Sequence, residues 1–209
     1  MADLFKIAEI GATLPDAAFA RMRPKLRLDL IALQQKAREQ GRSALIILNG
    51  VRGAGVIDTV NLLNTWMDPR WISTIAFDTP SDEERERPLF WRYWRSLPAA
   101  GSIGLYLGGW YADPIAERCA GTMTAAGFKQ RLKDIKAFEA TLAAEGTMIL
   151  KFWLHVSKSQ QAKLLPHLNS DPLVGFRASD NTWTTPTNYA AFTDVAAQAI
   201  HATSDEQRP

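Results

Sequence analysis

Residues 47–63, ILNGVRGAGVIDTVNLL, contain two glycines with the spacing of a phosphate-binding loop. A Walker A motif reads G-x-x-x-x-G followed by Lys and then Ser or Thr. Gly50 and Gly55 fit that spacing, whereas Val56 and Ile57 occupy the two positions that follow. Such a loop binds an anion by pointing successive backbone N–H groups at it, beside a helix N-terminus that carries partial positive charge. The sequence therefore predicts the backbone of an anion site without the lysine that would reach the phosphates or the hydroxyl that would hold Mg²⁺.

The missing lysine leaves two interpretations of this loop open. Its loss removes a charge-assisted contact worth about 1.5–3 kcal/mol. Arg52, inside the loop, could supply positive charge from another direction. Alternatively, the glycines only close a tight corner between a strand and a helix. Under the first interpretation the candidate phosphate-binding residues are Gly50, Arg52, Gly53, Ala54 and Gly55.

The segments around the loop alternate between strand and helix patterns. Apolar, β-favouring runs predict strands over residues 44–48, 71–77, 103–107 and 147–154. Helical spacing with capping and stop signals predicts helices over 15–40, 57–67, 81–94 with a break or restart at Pro88, 128–144, 157–166 and 188–202. Residues 169–186 are rich in Asn, Asp, Ser, Thr and Pro and are predicted to form a loop.

This alternation predicts an α/β fold with a parallel sheet covered by helices on both faces, which is a three-layer arrangement. Ligands of such sheets bind at the carboxyl ends of the strands, where residues 50–55 lie. The length of 209 residues favours one domain over residues 1–209. We expect an N-terminal helical segment at 1–43, a core at 44–168, and a lid-like loop with a C-terminal helix at 169–209.

Composition argues against several classes of protein. Hydrophobic residues make up 46% and charged residues 22%, which is typical of a globular chain rather than a disordered one. The net charge of +2 gives no basis for nucleic-acid or membrane-surface binding. No apolar run approaches the roughly 20 residues of a membrane span, and the N-terminus lacks the apolar stretch of a signal peptide. A single cysteine, Cys119, favours a reducing compartment, so we expect a cytoplasmic protein.

Several segments together are similar to the type-2 polyphosphate kinase family, and within it to the polyphosphate:AMP phosphotransferases. The matching segments are NGVRGAG at 49–55, LLNTWMDPR at 62–70, TPSDEERERPLFWRYWRSLPAAG at 79–101, GGWY at 108–111, AER at 116–118, FE at 138–139, EGTMILKFWLHVSKSQQ at 145–161 and DPL at 171–173. The resemblance implies a P-loop kinase fold and phosphoryl transfer between polyphosphate and a nucleotide, with Mg²⁺ as cofactor. It also implies polyphosphate and nucleotide as partners, and allows a second homologous domain or a homo-oligomer.

The chain departs from this family's pattern at charged positions. The family normally carries Gly-x-Asp-x-Ala-Gly-Lys-Gly in the loop, where this chain has Arg52 for the Asp and Val56 for the Lys. It normally carries Asp-Arg-Ser-Trp-Tyr after the third strand, where this chain has Leu107 for the metal-holding Asp and Gly108 for the Arg. Phosphoryl transfer depends on positioning and on stabilisation by cations. We therefore expect a catalytically impaired copy to which no catalytic residue can be assigned and in which the residues argue against bound Mg²⁺. An active but atypical phosphotransferase, or a non-catalytic nucleotide- or partner-binding module, is the alternative.

Arginines interleaved with aromatic residues are the candidate contacts for polyphosphate. On a helix, Arg92 and Arg95 would share one face, and the guanidinium group suits phosphate. The alternative is a solvated basic face whose charge is partly neutralised by neighbouring glutamates. Arg118, in the Glu-Arg pair of the resemblance, is the third candidate.

Three other residues could carry chemistry. Asp78 follows the second strand and could replace the missing metal ligand, or could be an ordinary loop or cap residue. Lys151 lies inside an apolar strand and is either an edge residue or a site residue. His155 ends the fourth strand; since no His/Cys/Asp spacing indicates a metal site, we expect it to be a core or surface histidine.

Overall fold

The computed structural model describes residues 4–170 and 188–204, apart from the side chain of Asn169. In this part of the chain four parallel strands form one sheet in the order β2-β3-β1-β4. The strands are β1 (Ala44–Gly50), β2 (Ile72–Ala76), β3 (Ile103–Leu107) and β4 (Met148–Leu154). β1 is central and almost wholly buried, as its continuous apolar run predicts. The predicted α/β fold with a parallel sheet is confirmed.

Helices cover both faces of the sheet, so the predicted three layers are confirmed. The helices are α1 (Asp16–Glu39), α2 (Val56–Trp66), α3 (Asp82–Arg85), α4 (Trp91–Trp94), α5 (Ala112–Ala120), α6 (Ala125–Ala144), α7 (Lys158–Ser170) and α8 (Tyr189–Thr203). α2 packs Val60 and Leu63 onto Leu48 and Leu105 on one face. α6 and α8 pack onto the other face, where the larger apolar cluster includes Ile47, Tyr106, Ile135 and Ala196.

The segment 81–94 is interrupted around Pro88 and restarts to run through Trp94, which is the second of the two predicted outcomes. The capping box that opens α3 is formed: the Ser81 hydroxyl accepts from Glu84 N at 3.2 Å, and the Glu84 carboxylate accepts from Ser81 N at 2.9 Å. α3 then ends at Arg85, and α4 begins only at Trp91. Proline lacks the N–H that would continue the helical ladder, which explains the interruption.

Three features differ from the sequence-based predictions. α5 and a 3-10 helix at Phe5–Glu9 were not predicted, because neither segment carries a long apolar period. α7 does not stop at Pro166 but continues to Ser170. Pro166 lacks the N–H that would bond to the preceding turn, and α7 continues in spite of this loss, as α1 does through Pro24. The rest of the predicted loop, from residue 171 to 186, lies outside the described residues.

Candidate functional site

The glycine-rich loop has the backbone shape that the sequence predicts. β1 ends at Gly50 and α2 begins at Val56, so the loop joins the carboxyl end of the central strand to a helix N-terminus. Gly53 and Gly55 have φ of +89° and +81°, a region that side chains strongly disfavour. Gly50 allows the ends of β1 and β4 to lie close together, since a Cβ at this position would lie 2.3 Å from the carbonyl oxygen of Leu154. The first N–H groups of α2 have no intrahelical acceptors and can therefore face an anion.

A neighbouring helix, α7, packs directly on this loop. The Gln161 side chain, which is fully buried, donates from Nε2 to the carbonyl oxygen of Arg52 at 2.9 Å. Leu164 and Leu168 lie against Gly53, with carbon atoms 3.7 to 3.9 Å from where its Cβ would be. This contact was not predicted from the sequence, although a signal for it exists. Leu164 and Leu168 follow Gln161 by three and seven positions, so the three side chains share one face of a helix. That helix follows β4, the strand that pairs with β1, and this places it beside the loop at the end of β1.

The two positions after the loop glycines are occupied by apolar side chains with structural neighbours. Val56, the first residue of α2, is half-buried and packs with Val60 of the same helix against Leu48 of β1. Ile57 is 37% exposed on the first turn of the helix. Neither side chain can offer a cation or a hydroxyl to an anion above the loop. Arg52 lies in the loop, half-buried, with its backbone carbonyl held by Gln161 of α7.

The carboxyl end of β3 lies beside the loop and is built from Leu107 and two glycines. Leu107 is half-buried against the cluster under α2. Gly108 has φ +74°, and a Cβ on it would lie 2.9 Å from the Cβ of Ala112. A larger side chain at position 108 therefore requires a change in the backbone.

The three candidate arginines for polyphosphate have different surroundings. Arg92 points inward: it donates from Nη2 to the carbonyl oxygen of Asp78 at 2.8 Å and has only 10% of its side chain exposed. Arg95 is exposed and lies 4.7 Å from the centre of the Trp91 ring. Arg118, at the end of α5, donates to the carbonyl oxygen of Met123 at 3.5 Å. Arg92 and Arg95 lie three positions apart on the single turn of α4, with Arg95 as its C-cap, but they differ in exposure.

Two acidic groups lie close to Arg92. Its guanidinium group lies 3.4 Å from the Glu84 carboxylate and 3.7 Å from that of Asp113. These groups border a cavity of about 170 Å³. The cavity is lined by Pro80, Glu84, Arg85, Arg87, Leu89, Phe90, Arg92, Tyr93, Trp110, Asp113, Pro114, Glu117 and Arg131. Burial raises the pKa of Asp113, and the nearby Arg92 and Arg131 oppose that shift.

Lys151 is a buried structural residue. Its Nζ donates to the Glu139 carboxylate and to the carbonyl oxygen of Thr203, each at 3.0 Å. The same carboxylate accepts from Nε1 of Trp110 at 3.0 Å and from the Tyr111 hydroxyl at 2.6 Å. Burial and the charge of Glu139 raise the pKa of Tyr111, so its hydroxyl keeps the proton that it donates. Three segments that carry the resemblance, GGWY, FE and KFW, thus meet in one network that joins the 3-10 helix Gly109–Tyr111 after β3 to α6, β4 and α8.

The residues near the loop do not fit a bound magnesium ion. In residues 4–170 and 188–204 no group of three or more His, Cys, Asp or Glu side chains is placed to hold a metal. Asp78 is exposed, and its carboxylate accepts from Thr79 N at 2.7 Å, which is the behaviour of a loop residue. The Leu107 side chain has no oxygen to offer. No step of a reaction can therefore be derived through Mg²⁺ from these residues.

The parallel sheet, its helical layers and the strand–loop–helix unit define a P-loop kinase-like α/β protein. The family model for polyphosphate kinase 2 matches residues 14–209. The chain belongs to the polyphosphate kinase 2 family.

Individual relatives agree with this assignment. The chain is 38% identical over 207 residues to a polyphosphate:AMP phosphotransferase of Pseudomonas syringae pv. tomato, and 37% identical over 207 residues to one of Pseudomonas aeruginosa. Each alignment covers 99% of this chain but 42% of the relative, so the chain spans less than half the length of these relatives. The crystal structure of a polyphosphate kinase 2 from Arthrobacter aurescens TC1 superposes with a TM-score of 0.86 at 29% identity, covering 96% of this chain and 72% of that one. Among the described helices, none is long and apolar enough to cross a membrane.

Proposed function

We propose that this chain is a phosphoryl-transfer domain of the polyphosphate kinase 2 family, with polyphosphate and a nucleotide as ligands, and that this copy is catalytically impaired by itself. The observation that carries the proposal is a contrast at the carboxyl ends of β1 and β3. The glycine-rich turn that would form an anion site is present, while apolar side chains stand at positions 56 and 107, where the resemblance implies a lysine and a metal-binding acid. Phosphoryl transfer relies on cations and on positioning, and the described residues supply few cations at this point.

The packing of α7 supports the same proposal. Leu164 and Leu168 lie on Gly53, so apolar groups border the loop where an anion would need polar neighbours. The candidate anion-binding residues remain Gly50, Arg52, Gly53, Ala54 and Gly55. We further propose one domain over 1–209, in which segments 1–43 and 169–209 flank the core 44–168.

The first test is turnover by the isolated chain. Purified protein is incubated with polyphosphate, Mg²⁺ and either AMP or ADP, and the product nucleotide is quantified. We expect no turnover above a heat-treated control. Turnover that disappears in Gly55→Ala would establish the alternative, an active enzyme that uses Arg52, Asp78 or a partner chain.

A restoring variant makes this test sharper. Val56→Lys and Leu107→Asp together return two charges without touching Gly108, whose φ of +74° and contact with Ala112 disfavour a side chain. We expect this double variant to gain Mg²⁺-dependent turnover. Its matched control, Val56→Leu with Leu107→Asn, changes the same positions without adding charge and should gain none. If the double variant folds but gains nothing, missing charge at these two positions is not what limits the chain.

Ligand binding distinguishes the remaining alternatives. A ligand of the native state raises the melting temperature, so AMP, ADP, ATP and polyphosphate are titrated separately at low and high salt. Stabilisation by polyphosphate that weakens with salt supports the polyphosphate-binding proposal. Arg95→Ala is the informative variant because Arg95 is exposed, and Arg118→Ala tests the third candidate arginine. Stabilisation by nucleotides alone would favour a nucleotide-binding module.

A further inference from the structure

The N-terminal 3-10 helix, Phe5–Glu9, packs on the strand end that leads into α7. The ring of Phe5 stacks on His155 with centroids 4.7 Å apart and planes 24° apart. A carboxylate oxygen of Glu9 lies 2.9 Å from Nε2 of the same histidine. The His155 side chain is only 1% exposed, so two residues from the start of the chain enclose it. The 3-10 helix also precedes the part of the chain that matches the family model, which begins at residue 14.

The first residue of α8 completes this contact. The Tyr189 hydroxyl oxygen lies 2.9 Å from Nε2 of His155, 2.9 Å from the carbonyl oxygen of Val156 and 3.3 Å from Glu9. A carbonyl oxygen can only accept, so the Tyr189 hydroxyl donates its proton to the carbonyl of Val156. The hydrogen bond to the Glu9 carboxylate is therefore donated by Nε2–H of His155. Burial and the Glu9 charge raise the pKa of Tyr189 to about 12, so the hydroxyl keeps this proton at neutral pH. Phe5, Glu9, His155 and Tyr189 together form what we call the clamp.

The clamp lies a few residues from the glycine-rich loop. β4 ends at Leu154, whose carbonyl oxygen accepts from Val51 N at 3.2 Å, so the strand end is already joined to the loop. After His155 and Val156, the Ser157 hydroxyl accepts from Gln160 N at 3.3 Å and caps α7. Next to Gln160, Gln161 holds the Arg52 carbonyl. The clamp therefore lies at the N-terminal end of the helix that packs on Arg52 and Gly53.

We propose that the N-terminal segment is an autoinhibitory strap, in which Phe5 and Glu9 hold His155 and Tyr189 so that α7 stays packed on the glycine-rich loop. Displacing the strap would loosen the first turns of α7, release the contacts of Gln161 and Leu164 with Arg52 and Gly53, and let the loop backbone take up an inorganic polyanion. The binding of a polyanion by the loop rests on the proposed function, whereas the loosening of α7, which we call the mechanical step, does not. Glu9→Gln or Tyr189→Phe weakens or removes one or two hydrogen bonds of the clamp, so a shift of about three- to tenfold in the opening equilibrium is expected.

Hydrogen exchange tests the mechanical step without any ligand. Amide exchange of peptides covering residues 158–168 is compared in the whole chain and in Glu9→Gln, Tyr189→Phe and Phe5→Ala. We expect exchange to accelerate about three- to tenfold there, while β1 and β3 remain protected. Ile7→Ala is the matched control, because Ile7 belongs to the same 3-10 helix but is 71% exposed. Unchanged exchange in α7 of folded Glu9→Gln and Tyr189→Phe proteins would overturn the strap.

Binding of inorganic pyrophosphate tests the second step with the same proteins. We expect Glu9→Gln and Tyr189→Phe to bind it about three- to tenfold more tightly than the unaltered chain, and Ile7→Ala to bind as the unaltered chain does. If α7 loosens but no protein binds pyrophosphate, the strap is supported and the loop's proposed role as an anion site fails. If pyrophosphate binds equally to all variants, the loop is open without displacement and the autoinhibitory role is overturned.

Discussion

Nζ of Lys151 donates to Oε2 of Glu139 over 3.0 Å in the interior of the protein, where only 2% and 0% of the two side chains are exposed. The pair is not isolated, because Glu139 also accepts from Trp110 and Tyr111. Burying charges is costly unless they are paired and their other hydrogen-bonding groups are satisfied, and this network meets both conditions. Residues that mark the family in sequence thus hold the second layer of helices to the sheet.

This pair predicts strong coupling between two substitutions. Lys151→Met alone leaves a buried carboxylate without its cation, and Glu139→Gln alone leaves a buried ammonium group, so we expect each to cost about 3–5 kcal/mol of unfolding free energy. The double variant should cost clearly less than the sum. Urea unfolding of all four proteins measures the coupling. Lys136→Met and Glu145→Gln, at exposed positions, are matched controls expected to change stability by less than about 0.5 kcal/mol. Additive single effects would show that the two groups do not interact.

The loop glycines predict a ranking of three alanine substitutions. Gly50→Ala places a methyl group against the Leu154 carbonyl oxygen and must separate β1 from β4, so it should destabilise by about 3 kcal/mol. Gly55→Ala has open space but φ +81°, so it should cost about 1–2 kcal/mol. Gly121→Ala, with φ +76° and open space at the end of α5, should match Gly55→Ala. Thermal or urea unfolding gives the ranking, and a neutral Gly50→Ala would contradict the close approach of the strands.

Arg92 and Arg95 are predicted to contribute very different amounts to the unfolding free energy. Arg92→Ala removes the bond to the Asp78 carbonyl and leaves Asp113 and Glu84 without their cation, so we expect a loss of about 2–3 kcal/mol. Arg92→Lys should recover little of it, since a lysine cannot reproduce the planar fork. Arg95→Ala should change stability by less than about 0.5 kcal/mol. Equal effects of the two alanine substitutions in urea unfolding would mean that these three partners do not hold Arg92.

Asp68 predicts a loss of stability in acid. The side-chain hydrogen bond from Arg70 lowers the pKa of Asp68 to about 2. A carboxylate whose pKa is lower in the folded state stabilises the protein above its unfolded pKa of about 4, and this contribution disappears as the pH falls toward 2. The unfolding free energies of the unaltered chain and of Asp68→Asn should therefore converge between about pH 4 and pH 2. Curves that stay parallel over this range would contradict the Asp68–Arg70 interaction.

The sequence by itself determined the elements that local chemistry controls. The buried apolar runs of the strands, the capping box at Ser81 and Glu84, and the strand–loop–helix around Gly50 and Gly55 follow from side-chain polarity and backbone freedom, which are local properties. The same local reasoning missed α5 and the continuation of α7 beyond Pro166, because neither segment carries a long apolar period.

Only the tertiary structure decided which residues meet. Gln161 and the leucines of α7 lie more than 100 positions from the loop they cover, and Glu9 reaches His155 across 146 positions. The tertiary structure also places Lys151 in a buried network and buries Arg92 against the Asp78 carbonyl oxygen, whereas Arg95 remains exposed. Such contacts depend on strand order and on how the two helical layers pack, and these are set by the burial of the whole chain rather than by the spacing of any one motif.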